Sequence, residues 1–279
     1  MSRELEGSRL SPEEIDCFRR EIYDSYVRYG RDLPWRRTTN GYHIFVSEVM
    51  LQQTQVGRVT GKYEAFIDTF PTFSSLAGAS LKDVLTAWQG LGYNRRALAL
   101  METARLITSR YGNELPRTVE GLSSFPGIGK ATASAILAFW LGTPVVFIET
   151  NIRRTFIGYF FHGNEAVRDA HIAPFVEQTL DRHDPRNWYY ALMDYGALRG
   201  KGPGNANRKS AHYKKQTPFE GSDRKIRGAV LGLLLEGPHV SAREIEERTG
   251  ADGARVLAIL TRMQEEGLVK EEKMGYTIP

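Results

Sequence analysis

The chain has 279 residues, 41% of them hydrophobic and 25% charged, which places it among ordinary globular proteins long enough for two or three modules. No apolar run approaches the roughly 20 residues of a membrane span, and the N-terminal stretch is charged where a signal peptide is apolar. A single cysteine, Cys17, excludes an internal disulfide and a metal site built on several thiolates, and a net charge of +4 permits a nucleic-acid partner without specifying one. An intracellular (cytoplasmic or nucleoid) protein with no membrane partner is therefore expected, with Cys17 buried as a small packing residue.

Helical spacing dominates the chain. Ile15, Phe18, Ile22 and Tyr26 predict an amphipathic helix over 12–28. A Pro34-Trp35-Arg36 turn precedes an apolar helix over 44–54. Helices over 59–70, 81–89 and 95–111 follow, separated by Pro71 and the Gly90-Leu91-Gly92 turn. A small-residue helix covers 131–140, and 152–161 and 172–181 continue the run. From Leu198 the character changes. Gly200, Gly202, Pro203 and Gly204 break regular structure, while Arg199, Lys201, Arg208, Lys209, Lys214, Lys215, Arg224, Lys225 and Arg227 supply positive charge, so 199–225 reads as an extended basic connector. Beyond it come a helix over 226–235, Ser241 as a cap with Glu244 at the capping-box position, a helix over 254–264 and a short strand pair near 267–270 and 275–278. Three helices and a hairpin are the layout of a winged helix. The expected organisation is a helical domain over 1–198, the connector, and a winged-helix-like domain over 226–279.

One turn carries chemistry by itself. In Leu122-Ser-Ser-Phe-Pro126-Gly127-Ile128-Gly129-Lys130, a Pro-Gly-x-Gly hairpin opens a helix and leaves backbone N–H groups free to hold a phosphate. Gly127 and Gly129 allow close backbone approach, and Lys130 adds positive charge. A plain helix–helix turn uses the same residues, so the turn alone does not decide the matter.

Its surroundings do. The blocks Leu33-Pro34-Trp35-Arg36, Ser47-Glu48-Val49-Met50-Leu51-Gln52-Gln53-Thr54-Gln55-Val56, Trp88-Gln89-Gly90-Leu91-Gly92-Tyr93, Phe125-Pro126-Gly127-Ile128-Gly129 and Leu192-Met193-Asp194-Tyr195-Gly196-Ala197 occur in that order. Together they resemble the helix-hairpin-helix DNA glycosylases, and the adenine-DNA glycosylase branch most closely, over roughly residues 15–198. The resemblance implies a mainly α, two-lobed glycosylase fold whose hairpin and following helix span 122–140. It also implies a monomer that binds double-stranded DNA carrying a lesion or mismatch and releases a base.

Breaking an N-glycosidic bond builds positive charge on the sugar, so one carboxyl must supply a proton and another must stay ionised. Glu48 lies among Val46, Val49, Met50 and Leu51, a setting that raises a carboxyl pKa. The resemblance makes it the residue that protonates the departing base and helps activate water. Where the family carries an Asp-Gly-Asn segment, this chain reads Glu149-Thr150-Asn151. Glu149 is thus the implied partner of the sugar charge, one methylene longer than the usual aspartate, and Asn151 is implied to orient water or substrate. Helix N-termini also attract acidic residues for structural reasons. Gln52, Gln53 and Thr54 match the segment that wedges into the base stack, and Leu91 and Tyr93 match a loop entering from the other side. Bifunctional relatives place a nucleophilic lysine where this chain has Ala131, so base release without strand cutting is expected.

Two departures stand out. Iron-sulfur members carry four cysteines after the Leu-Met-Asp-x-Gly-Ala block; here that stretch has none, so no cluster or other cofactor is expected, and the connector is expected to take over phosphate contacts. Residues 226–279 are too short for the Nudix-like domain of adenine-specific members, and Glu244, Glu246, Glu247, Glu265 and Glu266 make them less basic than a typical DNA reader. Adenine leads as the target, with uracil or thymine mismatches behind it. A non-catalytic damage-binding protein is the alternative from another class, and a winged-helix regulator explains the motifs least.

Overall fold

The computed structural model describes residues 9–163, 165–200, 205–215, 218–237 and 239–279. In chain order the helices are α1 (Pro12–Tyr29), α2 (Gly41–Leu51), α3 (Val56–Thr69), α4 (Phe73–Ala77), α5 (Leu81–Trp88), α6 (Arg95–Arg110), α7 (Val119–Ser123), α8 (Lys130–Leu141), α9 (Thr150–Phe160), α10 (Asp169–Thr179), α11 (Pro185–Leu198), α12 (Asp223–Glu236), α13 (Ala242–Thr249) and α14 (Gly253–Glu265). A two-stranded antiparallel sheet, β1 (Lys270–Glu272) and β2 (Gly275–Thr277), follows. None of the described helices is long and apolar enough to cross a membrane. The fold is mainly α. Its helices divide into two compact units, each drawn from separate stretches of chain: Met1–Ile44, Arg117–Ser123 and Ile128–Lys215 in the first, and Phe45–Pro116, Ser124–Gly127 and Gln216–Pro279 in the second.

The first unit is built on aromatic packing. Helix α1 starts at a reciprocal Ser11–Glu14 capping box and turns Phe18 and Ile22 inward. Phe18 meets Phe156 of α9 at 5.3 Å and Trp188 of α11 at 5.8 Å between ring centroids. Cys17 is exposed, which corrects its expected burial: Phe18 and Ile22 occupy the inward stripe and leave the neighbouring position to solvent. Buried Asp194 of α11 receives a two-pronged hydrogen bond from Arg36 (2.7 and 2.8 Å) and two more from the backbone and guanidinium of Arg31. Two of the sequence blocks, around Trp35-Arg36 and Asp194, are therefore a structural clasp.

The connector is not uniformly extended. Lys201, Gly202, Pro203 and Gly204 lie outside the described residues, but Ala206–Lys209 form a 3-10 turn capped by Asn205. Asn207 is buried and donates to the Thr150 carbonyl at the head of α9, while Val167 exchanges backbone hydrogen bonds with Lys209 and Ala211. Buried amide pairing fixes this part on the first unit, a pattern that charge and glycine content do not reveal.

In the second unit, Phe45 packs edge-on to Phe73 and Phe66 to Trp88. Helix α2 ends at Leu51, three residues short of the expected end, because Gln53 takes a left-handed φ of 54° and turns the chain. Helices α12, α13 and α14 enclose Val230, Leu234, Ile245, Val256 and Leu260. The β1–β2 hairpin pairs Lys270 with Thr277, and Val240 bridges to Tyr276. Helix α12 also packs against α5, so the C-terminal module is joined to the helices of its own unit.

Candidate active site and nucleic-acid interface

In the second unit, Glu48 sits half-buried near the end of α2, between the buried side chains of Ser47 and Val49. The chain leaves that helix through Gln52, Gln53 and Thr54. Gln52 donates its amide to the Gly127 carbonyl at 3.1 Å, tying the wedge segment to the hairpin, whereas Gln53 is exposed. The second loop, Gly90 to Tyr93, holds three residues at positive φ: Gly90 (88°), Gly92 (68°) and Tyr93 (48°). For a tyrosine this is strained backbone, and strain of this kind persists where the surroundings impose it.

What imposes it is Arg96. One guanidinium nitrogen donates to the carbonyls of Val49 (2.9 Å), Met50 (2.8 Å) and Gln52 (2.6 Å). The other donates to Thr54 Oγ1 (2.9 Å) and to the carbonyls of Leu91 (3.3 Å) and Gly92 (3.0 Å). A single side chain thus satisfies the orphaned carbonyls at the end of α2 and laces both loops together. Burial lowers its pKa to about 10, still charged at neutral pH. Sequence reasoning passed over Arg96. The available signal was its place in the first turn of α6, the helix end that disfavours cations.

The loop residues then separate by role. Thr54 is an internal tie, donating to the Leu91 carbonyl at 3.3 Å. Leu91 is only 2% exposed, so its expected entry into the duplex is corrected: its side chain packs inside and its carbonyl anchors the loop. Gln53 is the exposed side chain of this group, while Gln52, Thr54 and Tyr93 are half-buried.

At the hairpin, Gly127 adopts a φ of 72°, and a Cβ there would press on Ala99 at 3.3 Å. Gly129 caps α8, and a Cβ there would meet nothing. Its small size is not needed for packing, and it leaves the first amides of α8 open beside exposed Lys130.

In the first unit, Glu149 is the N-cap of α9. Its Oε1 accepts the amides of Asn151 (2.7 Å) and Ile152 (2.9 Å). Burial pushes its carboxyl pKa up, against the opposing pull of those two amides and of the Arg153 and Arg154 charges. Accepting those two amides curls the carboxylate back onto its own helix. Asn151 bridges the group, donating to Glu149 at 3.3 Å and accepting from Arg154 at 3.0 Å. Arg154 reaches on to the Gly196 carbonyl (2.8 Å) and to Asn205 (3.0 Å). The structure therefore brings Glu149 and Asn151 together in one network, and Gln52, Thr54, Leu91, Tyr93 and Gly127 together in another that continues from the helix of Glu48.

Comparison with known proteins gives this geometry a context. Residues 46–203 match the model of the HhH-GPD superfamily base excision DNA repair proteins. The chain is 33% identical over 280 aligned positions to an adenine DNA glycosylase of Mycolicibacterium smegmatis, covering 91% of this chain and 93% of that one. It is 42% identical over 230 residues to an adenine DNA glycosylase of Mycobacterium tuberculosis, covering 75% of each. Among solved structures, a thermostable thymine-DNA glycosylase aligns with a TM-score of 0.63 at 24% identity, over 71% of this chain and 92% of that one, a likeness of fold.

Proposed function

Because the chain belongs to the HhH-GPD superfamily of base excision DNA repair proteins, we propose that Glu48 and Glu149 divide the chemistry of base release in duplex DNA. The protein is a DNA glycosylase that hydrolyses N-glycosidic bonds, and adenine is the base it removes, as its relatives over most of the chain indicate. Glu48 supplies the proton to the departing base and then assists water. Glu149 sets negative charge against the sugar as its bond to the base breaks, with Asn151 holding the carboxylate's orientation. The observation that carries this reading is the Arg96 clasp, which fixes the Glu48 helix and both wedge loops as one body.

Ala131 stands where a lyase needs its lysine, so release proceeds without strand cutting. An iron-sulfur cluster does not fit this chain. Residues 199–215 contain no cysteine, and the described part of that stretch is held to α9 and Val167 by hydrogen bonds. No group of three or more metal-ligating side chains occurs among the described residues. We assign the position of α9 to Asn205 and Asn207 instead, in a monomer working where chromosomal DNA is.

The test is base release under single-turnover conditions, read after alkali, on duplexes carrying adenine opposite 8-oxoguanine or guanine, G·U, G·T or hypoxanthine. Adenine is expected to be released, and Glu48→Gln to slow release by about 10²–10⁴-fold. Release of uracil or thymine with adenine untouched overturns the substrate, and full activity of Glu48→Gln overturns the mechanism. Strand scission before alkali overturns the single activity. Absorbance near 400 nm in fresh protein, the signature of a bound cluster, is expected to be absent.

A further inference from the structure

The second unit contains a cleft of about 710 Å³ with the wedge loops on one wall and the C-terminal module on the other. Gln52, Gln53, Leu91 and Tyr93 line the first wall; Phe219, Arg224, Arg227 and Arg262 line the second. Six arginines face this space, Arg58, Arg95, Arg96, Arg224, Arg227 and Arg262, against one carboxylate, Glu266. Glu266 is paired with Arg227, and Arg262 lies 3.8 Å from Asp223. The walls touch where Arg224 donates to the Tyr93 hydroxyl at 3.3 Å.

Phe219 leaves 57% of its surface in solvent beside these cations. An exposed aromatic among arginines on a concave surface matches the demands of nucleic acid: cations for phosphates and a ring face on which an unstacked base rests. The volume falls within the range of about 300–1,000 Å³ that accepts ligands of nucleotide size. Of the module's glutamates, Glu244, Glu246 and Glu247 belong to α13 and line no part of it, while Glu266 lines it paired with Arg227.

We propose that the C-terminal module is part of the DNA-binding surface: Arg224 and Arg262 neutralise backbone phosphates of the strand entering this cleft, and Phe219 stacks on one of its bases. The cleft thereby grips DNA next to the wedge loops, giving the C-terminal helices a part in holding the duplex where it is opened. The inference rests on the glycosylase reading for the kind of DNA involved.

The full-length protein is titrated, across a salt series, into a labelled duplex carrying a tetrahydrofuran abasic analogue, which cannot be cleaved. Each phosphate contact contributes about 0.9 to the slope of log affinity against log salt. Replacing both residues, Arg224→Gln with Arg262→Gln, is expected to make that slope shallower by about two. Replacing both by lysine is expected to restore it. Arg243→Gln, at an exposed position of α13 away from the cleft, is expected to bind as wild type. Phe219→Ala is expected to weaken binding about tenfold at an unchanged slope, with Phe219→Trp retaining affinity. A wild-type slope in the glutamine pair overturns the proposal, and wild-type affinity in Phe219→Ala overturns the stacking contact. Base release by the unmodified protein is scored separately. Release combined with unchanged slopes sinks the cleft alone, while a shallower slope without release sinks the glycosylase reading alone.

Discussion

Glu149 combines two settings, helix cap and buried carboxyl. Its identity and position were readable, because an acidic residue before Thr150-Asn151 at a helix start has few uses. Its burial was not readable, since the covering residues are distant in sequence, whereas the opposing pull of Arg153 and Arg154 comes from within about one turn of the same helix. A carboxyl whose folded pKa is raised costs nothing below its unfolded value of about 4.3 and destabilises the fold once pH climbs through the raised value. Glu149→Gln is therefore expected to melt higher than the parent at mildly alkaline pH and level with it in acid, while base release falls about 100-fold. Thermal melts across pH check this, and a lower alkaline midpoint would show that the lost cap outweighs the relieved charge. Asp194 is the opposite case. Burial opposes its ionisation, but hydrogen bonds and charge from Arg36 and Arg31 outweigh that and hold the carboxyl below its usual range. Its stabilisation is present above an unfolded value of about 3.9 and fades in stronger acid.

Among elements, the helices themselves were the legible part. Apolar residues at helical spacing located α1, α5, α6 and α14 to within a residue or two. The short helices α4 and α7 carry too few turns for periodicity to register. Ends were less legible where a distant side chain sets them, as Arg96 does for α2. The contact between α9 and α11 shows the same dependence. A methyl on Gly196 would collide with the backbone carbonyl of Asn151 and crowd Thr155, so the two helices approach closely only because this residue is glycine. Gly196→Ala is expected to destabilise the protein by about 3 kcal/mol, the upper end of overpacking. It is also expected to slow base release about 100-fold by displacing Asn151 and Glu149. Denaturant unfolding and single-turnover rates measure the two effects, and a neutral result in both would remove Gly196 from the account.

For the molecule as a whole, the five ordered blocks made the family readable by their order, although two of them, around Trp35-Arg36 and Asp194, serve as a structural clasp. The assembly of the second unit from three separate stretches was hidden, since nothing local marks α5 as the partner of α12. That unit is expected to depend on its C-terminal part. A chain ending at Lys215 loses α12 to β2 and uncovers the face of α5 that α12 covers. Its calorimetric profile is expected to show a lower midpoint and a smaller unfolding enthalpy, and an unshifted midpoint would establish α12 to β2 as independently folded.

The same discontinuity bears on how the chain is born. All of the first unit has been synthesised by Lys215, yet α5 must wait for α12 across the whole of residues 89–222. Contacts so distant in sequence close late and carry a large loop entropy, so apolar residues of the early stretch stay open to other chains in the interval. The yield of active protein is therefore expected to rise with added chaperone or slowed translation, which soluble expression measures. Substitutions on the α5-facing side of α12 should lower that yield more than their melting temperatures suggest.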